Sequence, residues 1–471
     1  MIFTPNTLVA GEGRFTFGSE VTAIANACLD KQVMRELWAG STYRSSRLEI
    51  ASCDDFLFSI GCVSVPQLDG NLYAINITTE GVCIAAESRD GLIKGFMTLL
   101  DRIQPVELTA DRTELALDCC LIQDKPSIEN RMVHFCVFPD TELWELHKFI
   151  RLCGALKYSH VVLEFWGMLQ YDTMKELSWH HAFTKNQIRP ILQEANDLGI
   201  EMIPMFNHWG HASSGRMIHG KHVVLDQNPR LQTLFSEDGW TWNIWKKEVR
   251  TLLRSIRQEL IELCGEGRYF HLGCDEPYNF KIDHKSAEDL TDYLNEITED
   301  LGKQGRRPII WGDMFVARRA SFHPENRYYA SCPDEKTEKL LLNQLDKRIV
   351  IADWQYEVKR PPVETALIFA SAGFDVVLCP WDRTVDNLCC CAETVKTHQL
   401  FGTRHTTCHT LSSGMPYVTE NAILSWRGDA GCLPDYASCA VKTAALLRKV
   451  YFVDGDYTKA GWAKYEIGVN T

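Results

Sequence analysis

The segment Arg268–Phe280, RYFHLGCDEPYNF, places two adjacent acids directly after a run of apolar residues. The run Tyr269–Gly273 is typical of a buried strand, and Asp275 and Glu276 follow it with Pro277 next. Neighbouring side chains of a continuous strand point to opposite faces, so both carboxylates can reach one pocket only where the strand has ended. The small residues before the acids permit a bend, and the proline removes a backbone donor and ends pairing. The segment therefore predicts a strand that delivers an acid pair at its carboxyl end.

The same alternation of strand and helix extends from this segment in both directions. An amphipathic helix precedes it and stops at Gly265, and a second begins at Ser286 and stops near Gly302. The candidate strands are Met132–Val137, His160–Phe165, Glu201–Phe206, Tyr269–Gly273, Pro308–Trp311, Arg348–Ala352, Asp375–Cys379 and Gly402–Thr407. Eight strand–helix units predict an α/β fold with a closed (β/α)8 TIM barrel. An open doubly wound sheet is the alternative, and it is disfavoured because no Gly-rich turn follows the first strand.

The chain before the barrel has a different pattern. Leu72–Thr78 and Val82–Ala86 predict a hairpin, and Ser88–Ile103 predicts an amphipathic helix. Strands followed by a helix are typical of a small α+β domain. We therefore expect an N-terminal α+β domain over 1–125 and a catalytic barrel over 126–433. A helix over Asp435–Phe452 in a C-terminal helical extension, 434–471, is expected to pack on the barrel.

Composition limits the partners and the compartment. The 471 residues carry a formal net charge of −13, which argues against nucleic acid or an anionic membrane as the main partner. No apolar stretch approaches the roughly 20 residues of a membrane span, and the first residues lack the features of a signal peptide. We expect a cytoplasmic protein whose 18 cysteines are reduced thiols, mostly small buried hydrophobes such as Cys136. No CxxC pair stands beside a second, so a zinc site of that kind is not supported. We expect no metal and no cofactor.

Polar and aromatic residues follow nearly all of the predicted strands. They are Glu164, Trp166, Asn207, His208, His211, Trp311, Asp313, Asp353, Trp354, Tyr356, Trp381 and Asp382. One Trp after a strand is usually packing, but four, each with an acid close by, suit a sugar ring with its apolar faces and hydroxyl rim. Two carboxylates held together raise the pKa of one, and a glycosidase acid must stay protonated near neutral pH. Taken alone, the acid pair is explained equally well by ion pairing or metal binding.

These motifs resemble glycoside hydrolase family 20, the β-N-acetylhexosaminidases. HLGCDEP (271–277) is similar to the family's His-x-Gly-Gly/Ala/Cys-Asp-Glu signature. IPMFNHWGHA (203–212), RPIIWGDMF (307–315) and DWQY (353–356) add to the resemblance, as does Arg131 just before the first barrel strand. The N-terminal hairpin and helix resemble the small domain that precedes many such barrels. The resemblance thus covers nearly the whole chain and is nearest to cytosolic branches of the family.

The resemblance implies a role for each matching residue. Glu276 would be the general acid and then the base, and Asp275 would hold the N–H of the substrate's 2-acetamido group. The acetamido carbonyl would attack the anomeric carbon and give an oxazolinium intermediate, with retained configuration. Tyr356 would hydrogen-bond the acetamido oxygen. The remaining implied substrate contacts are sugar walls from Trp311, Trp354 and Trp381, ring-hydroxyl contacts from Arg131 and Glu164, and support of the acid or the sugar rim from His211.

The sequence departs from the family pattern at two places. Met205 and Asn207 stand in the third-strand segment where the family more usually has acids, which affects the outer contacts of Asp275. Cys408 stands where relatives often carry a Trp, and Trp426 is a candidate replacement for that wall. The expected partner is an N-acetylhexosamine-containing glycan or glycoside, and neither gluco nor galacto preference nor oligomeric state follows from the sequence.

Two other functions remain open. A metal-dependent barrel enzyme is suggested by histidine spacing, although the glycines around the first histidines favour a loop. The histidines concerned are His208, His211, His219, His222, His405 and His409. A non-catalytic glycan-binding relative is the second alternative, since barrels can lose chemistry and keep their pockets.

Overall fold

The computed structural model describes residues 3–108, 113–213, 224–237, 239–278, 280–382, 384–408 and 414–451. It contains two compact units, one made of the described residues up to Lys125 together with those from Val441 onward, and the other of Pro126–Ala440. None of the helices in these ranges combines the length and apolar character needed to cross a bilayer.

The first unit is an α+β domain built on a mixed sheet with the strand order β1-β8-β5-β6-β4-β2-β3, and β7 pairs with β8. Its strands are β1 Thr7–Phe17, β2 Glu20–Asn26, β3 Arg47–Cys53, β4 Leu57–Gly61, β5 Tyr73–Thr78, β6 Gly81–Ala86, β7 Gln104–Leu108 and β8 Thr113–Asp124. Two helices, α1 Lys31–Ser41 and α2 Arg89–Arg102, belong to it. The predicted hairpin is β5 with β6, and the predicted helix is α2, so the expected α+β character is confirmed.

The second unit is a closed barrel of eight parallel strands. The strands are β9 Asn130–Cys136, β10 His160–Glu164, β11 Glu201–Met205, β12 Tyr269–His271, β13 Arg307–Trp311, β14 Val350–Asp353, β15 Asp375–Leu378 and β16 Gly402–Thr407. Pairing of β16 with β9, from Gly402 with Asn130 to Thr407 with Phe135, closes the ring. The (β/α)8 prediction is therefore confirmed and the open sheet is wrong.

Helices follow these strands, and most of them carry one apolar face. They are α3 Leu143–Ala155, α4 Lys185–Asp197, α5 Val224–Gln227, α6 Lys247–Cys264, α7 His284–Gly302, α8 Glu335–Gln344, α9 Glu364–Ser371, α10 Val385–His398, α11 Met415–Arg427 and α12 Tyr436–Val450. The predicted stop of α6 at Gly265 is its observed C-cap.

The final helix, α12, begins in the barrel unit. The ring of Tyr436 lies 5.2 Å from that of Tyr417, and the Cys439 thiol lies 3.5 Å from the Pro416 carbonyl. From Val441 onward its residues belong to the first unit. Packing on the barrel therefore holds for the turn of the predicted helix that contains Tyr436 and Cys439. Residues 452–471 of the predicted extension lie outside the described residues.

The barrel interior changes from apolar to polar along the strands. Inward side chains of the first layers form one apolar cluster that includes Met132, Val162, Ile203, Ile309 and Val350. Because the inward positions alternate, the next layer contains His134, Glu164, His271 and Arg404, all buried. All eight strands run in the same direction, so these polar groups gather towards the carboxyl end, where barrel enzymes hold their sites.

Candidate active site

The acid pair stands where β12 has already ended. The strand stops at His271, earlier than predicted, and Gly273, Cys274 and Glu276 adopt positive φ angles of 66°, 74° and 50°. A non-glycine residue with a positive φ is uncommon and costs of order 1–3 kcal/mol, and such residues cluster at functional sites. At Gly273 a Cβ would lie 1.9 Å from Asn207 Oδ1, so only glycine fits. This bend turns both carboxylates towards one histidine, His211.

His211 joins the two acids. Its Nε2 lies 3.1 Å from Asp275 Oδ2 and 3.2 Å from Glu276 Oε2. Trp240 packs against the His211 ring at 4.5 Å between centroids and donates its indole N–H to the Glu276 carbonyl at 2.6 Å. The ring of Tyr278 stacks on the ring of Trp240, with 5.6 Å between their centroids. The two aromatic residues were not predicted, because they lie in loops and nothing in their spacing marks them.

A third carboxyl, Asp313, supports the pair from the end of β13. It accepts the Glu276 backbone N–H at 3.3 Å and the Trp354 indole N–H at 3.0 Å. Burial, followed by the charges of Asp275 and Glu276, holds the pKa of Asp313 well above its usual value. The sequence marked Asp313 as a strand-end acid and gave it no role, although the same strand-end rule selects it.

An aromatic wall stands beside the acids. Tyr329, Trp354, Tyr356 and Trp381 follow one another with ring centroids 4.5, 5.1 and 5.1 Å apart. Three of them were predicted site residues, and Tyr329 lies in a loop that gave no signal. Cys408, the position where a Trp is common in relatives, has its sulfur 3.8 Å from the Tyr356 hydroxyl and so lies at this wall.

Trp311 lies deeper than the rest of the predicted wall. It is 4% exposed, and the Arg404 guanidinium covers its ring at 4.0 Å. The rings of His271 and His134 lie 5.0 and 6.0 Å from it. Trp311 therefore belongs to the polar interior layer beneath the acids, and its contact with a sugar stays a prediction.

Arg131, a predicted substrate contact, and Trp426, a candidate wall residue, lie at the amino end of the barrel strands, opposite the acid pair. Arg131 starts β9 and is 3% exposed, and its guanidinium donates to the carbonyls of Lys157, Ile128 and Glu129. Trp426 packs under it at 4.9 Å and is fully buried. The expectation that Arg131 binds ring hydroxyls is wrong, because amino ends of the strands face away from the site. Trp426 cannot replace the missing wall for the same reason.

Glu164 is close to the site but turned inward. Its Oε1 accepts from the Asn207 amide at 2.5 Å, and its Oε2 lies 3.2 Å from His134 Nε2. The side chain is 4% exposed. Strand alternation points it into the barrel, so the expected contact of Glu164 with ring hydroxyls is not supported by this geometry.

The histidine pairs do not assemble into a metal centre in the described part of the chain. The two ring nitrogens of His208 lie 2.6 Å from the Phe206 carbonyl and 3.1 Å from Arg257, and burial lowers its pKa to about 3. His219, His222 and His409 lie outside the described residues. Two groups of potential ligands do meet, His211 with Asp275 and Glu276, and His134 with Cys136 and Glu164.

The closed barrel with an acid pair and an aromatic wall at its carboxyl end defines a barrel of the glycoside hydrolase class. The family model "Glycosyl hydrolase family 20, catalytic domain" matches residues 159–385. The chain therefore contains a glycoside hydrolase family 20 catalytic domain, and the resemblance found in its motifs is confirmed.

Relatives and solved structures are similar to this chain at low identity. Lacto-N-biosidase of Bifidobacterium bifidum is 19% identical over 56% of this chain and 24% of its own length, and hexosaminidase D of Bos taurus is 27% identical over 28% and 36%. The matches thus span about a quarter and a third of these relatives. A Vibrio harveyi GH20 exo-β-N-acetylglucosaminidase structure with N-acetylglucosamine has a TM-score of 0.68 at 18% identity, covering 96% of this chain and 78% of that one. Streptomyces plicatus N-acetyl-β-hexosaminidase gives 0.65 at 15%, covering 96% and 95%. These two likenesses show the fold.

Proposed function

We propose that this protein is a retaining exo-β-N-acetylhexosaminidase that hydrolyses terminal β-linked N-acetylglucosamine or N-acetylgalactosamine. The observation that carries the proposal is the His211 bridge between Asp275 and Glu276 at the carboxyl mouth of the barrel. A relative named hexosaminidase D, and a structural neighbour solved in complex with N-acetylglucosamine, support the same substrate class.

In the proposed mechanism the two acids do different work. Glu276, 25% exposed at its side chain, gives its proton to the leaving oxygen and later takes one from water. Asp275 Oδ2 lies 3.1 Å from His211 Nε2, while the buried Oδ1 has no hydrogen-bond partner among the described residues. A substrate N–H would satisfy that buried acceptor and hold the acetamido carbonyl in line with the anomeric carbon. Attack by that carbonyl gives an oxazolinium ion, which water opens with retained configuration.

The aromatic wall completes the proposed pocket. Trp354, Tyr356 and Trp381 offer apolar faces to the sugar and its acetamido methyl group, and the Tyr356 hydroxyl reaches the acetamido oxygen. Asp313 fixes the first of these rings through its indole N–H and the acid loop through the Glu276 N–H. One buried carboxyl therefore sets the distance between the wall and the proton donor.

Aryl glycosides with and without the 2-acetamido group test the reaction and its mechanism together. We expect turnover of aryl N-acetyl-β-glucosaminide or galactosaminide and none of the 2-hydroxy analogues. Glu276→Gln should lose roughly 10²- to 10⁴-fold in kcat, while Glu80→Gln, in the exposed turn after β5, should not change it. A thiazoline that mimics the oxazolinium ion should inhibit. Sugar binding without turnover would instead support the glycan-binding alternative, and turnover that a chelator abolishes would support the metal-dependent one.

We also propose that the protein works in a reducing compartment. All eighteen cysteines lie in the described part of the chain, and none of them forms a disulfide bond there. Titration of the denatured chain with a thiol reagent should find eighteen free thiols, and a lower number under non-reducing conditions would contradict the proposal.

A further inference from the structure

One cluster inside the barrel takes no part in the proposed mechanism. His134 and Cys136 stand two residues apart on β9, so their side chains share its inward face. The register pairs Cys136 with Glu164 on β10 and thereby brings the carboxylate beside both. Sequence patterns could not show this group, because its members belong to two strands and form no recognised ligand spacing.

The donor atoms of this cluster form a small triangle. His134 Nε2 lies 3.2 Å from Glu164 Oε2, Cys136 Sγ lies 3.6 Å from that nitrogen, and the sulfur lies 3.5 Å from the same oxygen. Bond lengths of about 2.0–2.3 Å to a tetrahedral zinc ion place its ligand atoms about 3.3–3.6 Å from one another. From this geometry we propose that His134, Cys136 and Glu164 form a mixed-ligand binding site for a divalent transition-metal ion, with Zn²⁺ as the best fit.

Charge and burial support the same ion. The three residues are 2–3% exposed, and the Arg404 guanidinium is one positive charge in their surroundings. A thiolate beside the carboxylate would need further positive charge, which a divalent cation supplies, and the combination of nitrogen, sulfur and oxygen donors suits zinc.

One side chain outside the cluster orients its carboxylate. Asn207 donates to Glu164 Oε1 and orients the carboxylate, as outer partners of metal ligands do. Metal binding would displace the Cys136 proton to solvent and would fix β9 to β10 below the acid pair. The inference does not depend on the proposed hydrolysis.

Metal content and cobalt substitution of the full chain test the site. We expect one zinc per chain after purification without chelator. After removal of the metal, Co²⁺ should give a thiolate-to-cobalt charge-transfer band that Cys136→Ser abolishes. Cys153 is a fully buried thiol on α3, so Cys153→Ser is the matched control and should keep the band. Asn207→Ala should weaken Zn²⁺ binding by roughly 10- to 100-fold while leaving the band in place at saturating Co²⁺.

The outcomes separate this site from the other ligand group. Glu276→Gln should leave the charge-transfer band unchanged, because the group of His211, Asp275 and Glu276 contains no sulfur. A wild-type chain that binds neither Zn²⁺ nor Co²⁺ in stoichiometric amount overturns the proposal, as does a band that survives in Cys136→Ser. If the Cys136→Ser chain does not fold, the metal content and the charge-transfer band of the wild-type chain test the proposal by themselves.

Discussion

The substitution Gly210→Ala tests whether the backbone position of the acid loop sets the catalytic rate. A Cβ on Gly210 would lie 1.9 Å from the Asp275 carbonyl oxygen and 3.0 Å from the Glu276 carbonyl carbon. Real Cβ contacts essentially never fall below 3.0 Å, so the loop must shift by about 1.1 Å. The φ of Gly210 is not in the left-handed region, so the effect comes from this collision alone.

The size of the effect follows from that shift. A misplacement of about 1 Å in a catalytic constellation can cost about 10²-fold in rate, or about 2.7 kcal/mol of transition-state stabilisation. We therefore expect kcat/KM for an aryl N-acetyl-β-hexosaminide to fall about 100-fold, with kcat carrying most of the loss. The change is confined to loops at the barrel mouth, so the thermal midpoint should move little.

Steady-state kinetics with a matched control decide the matter. Gly414→Ala is that control, because its new Cβ would meet no atom of the described residues closer than 3.7 Å, at Asp382, and its φ is −96°. It should retain wild-type kcat/KM. Near-wild-type kinetics for Gly210→Ala would refute the argument that the Asp275–Glu276 backbone is held in place by this close approach.

Three further predictions concern a support, a structural residue and a buried acid. Trp240→Phe keeps the ring against His211 and loses the N–H bond to Glu276, so kcat/KM should fall about fivefold, as expected for a net 1 kcal/mol. Arg131→Met should lower the thermal midpoint, because three backbone carbonyls lose their donors, and should leave kcat/KM of the folded fraction unchanged. Burial raises the pKa of Glu420 from 4.5 to about 7. The folded chain therefore keeps this proton where the unfolded chain has lost it, and ionisation lowers stability as pH rises from about 4.5 through 7. Glu420→Gln should raise the free energy of unfolding at pH 8 by up to about 3 kcal/mol and leave it unchanged near pH 4.

Each of these predictions has an outcome that contradicts it. Unchanged kinetics for Trp240→Phe would mean that the indole bond does not position Glu276. A rise in KM for Arg131→Met with unchanged stability would mean that Arg131 does contact the substrate. Equal effects of Glu420→Gln at both pH values, followed by chemical denaturation, would show that its ionisation is not linked to folding.

The sequence by itself determined the barrel and the acid pair. The spacing of apolar residues in strands and helices is a local property of the sequence, so the eight strands were predicted to within a few residues. Gly273, Cys274 and Pro277 marked the bend that turns Asp275 and Glu276 together. Parallel strands place their carboxyl ends at one mouth, and this rule also selected Trp354, Tyr356 and Trp381.

Only the tertiary structure decided which end of the barrel a residue faces and which strand neighbours it meets. Arg131 looked like a site residue because it borders a strand, yet it borders the amino end, where backbone carbonyls satisfy its guanidinium. Trp240 and Tyr329 lie in loops at the site, and no repeating pattern of apolar residues predicts the course of a loop. Glu164 lies beside Cys136 only because β9 and β10 pair in one register, and side-chain contact across strands depends on register rather than on spacing along the chain.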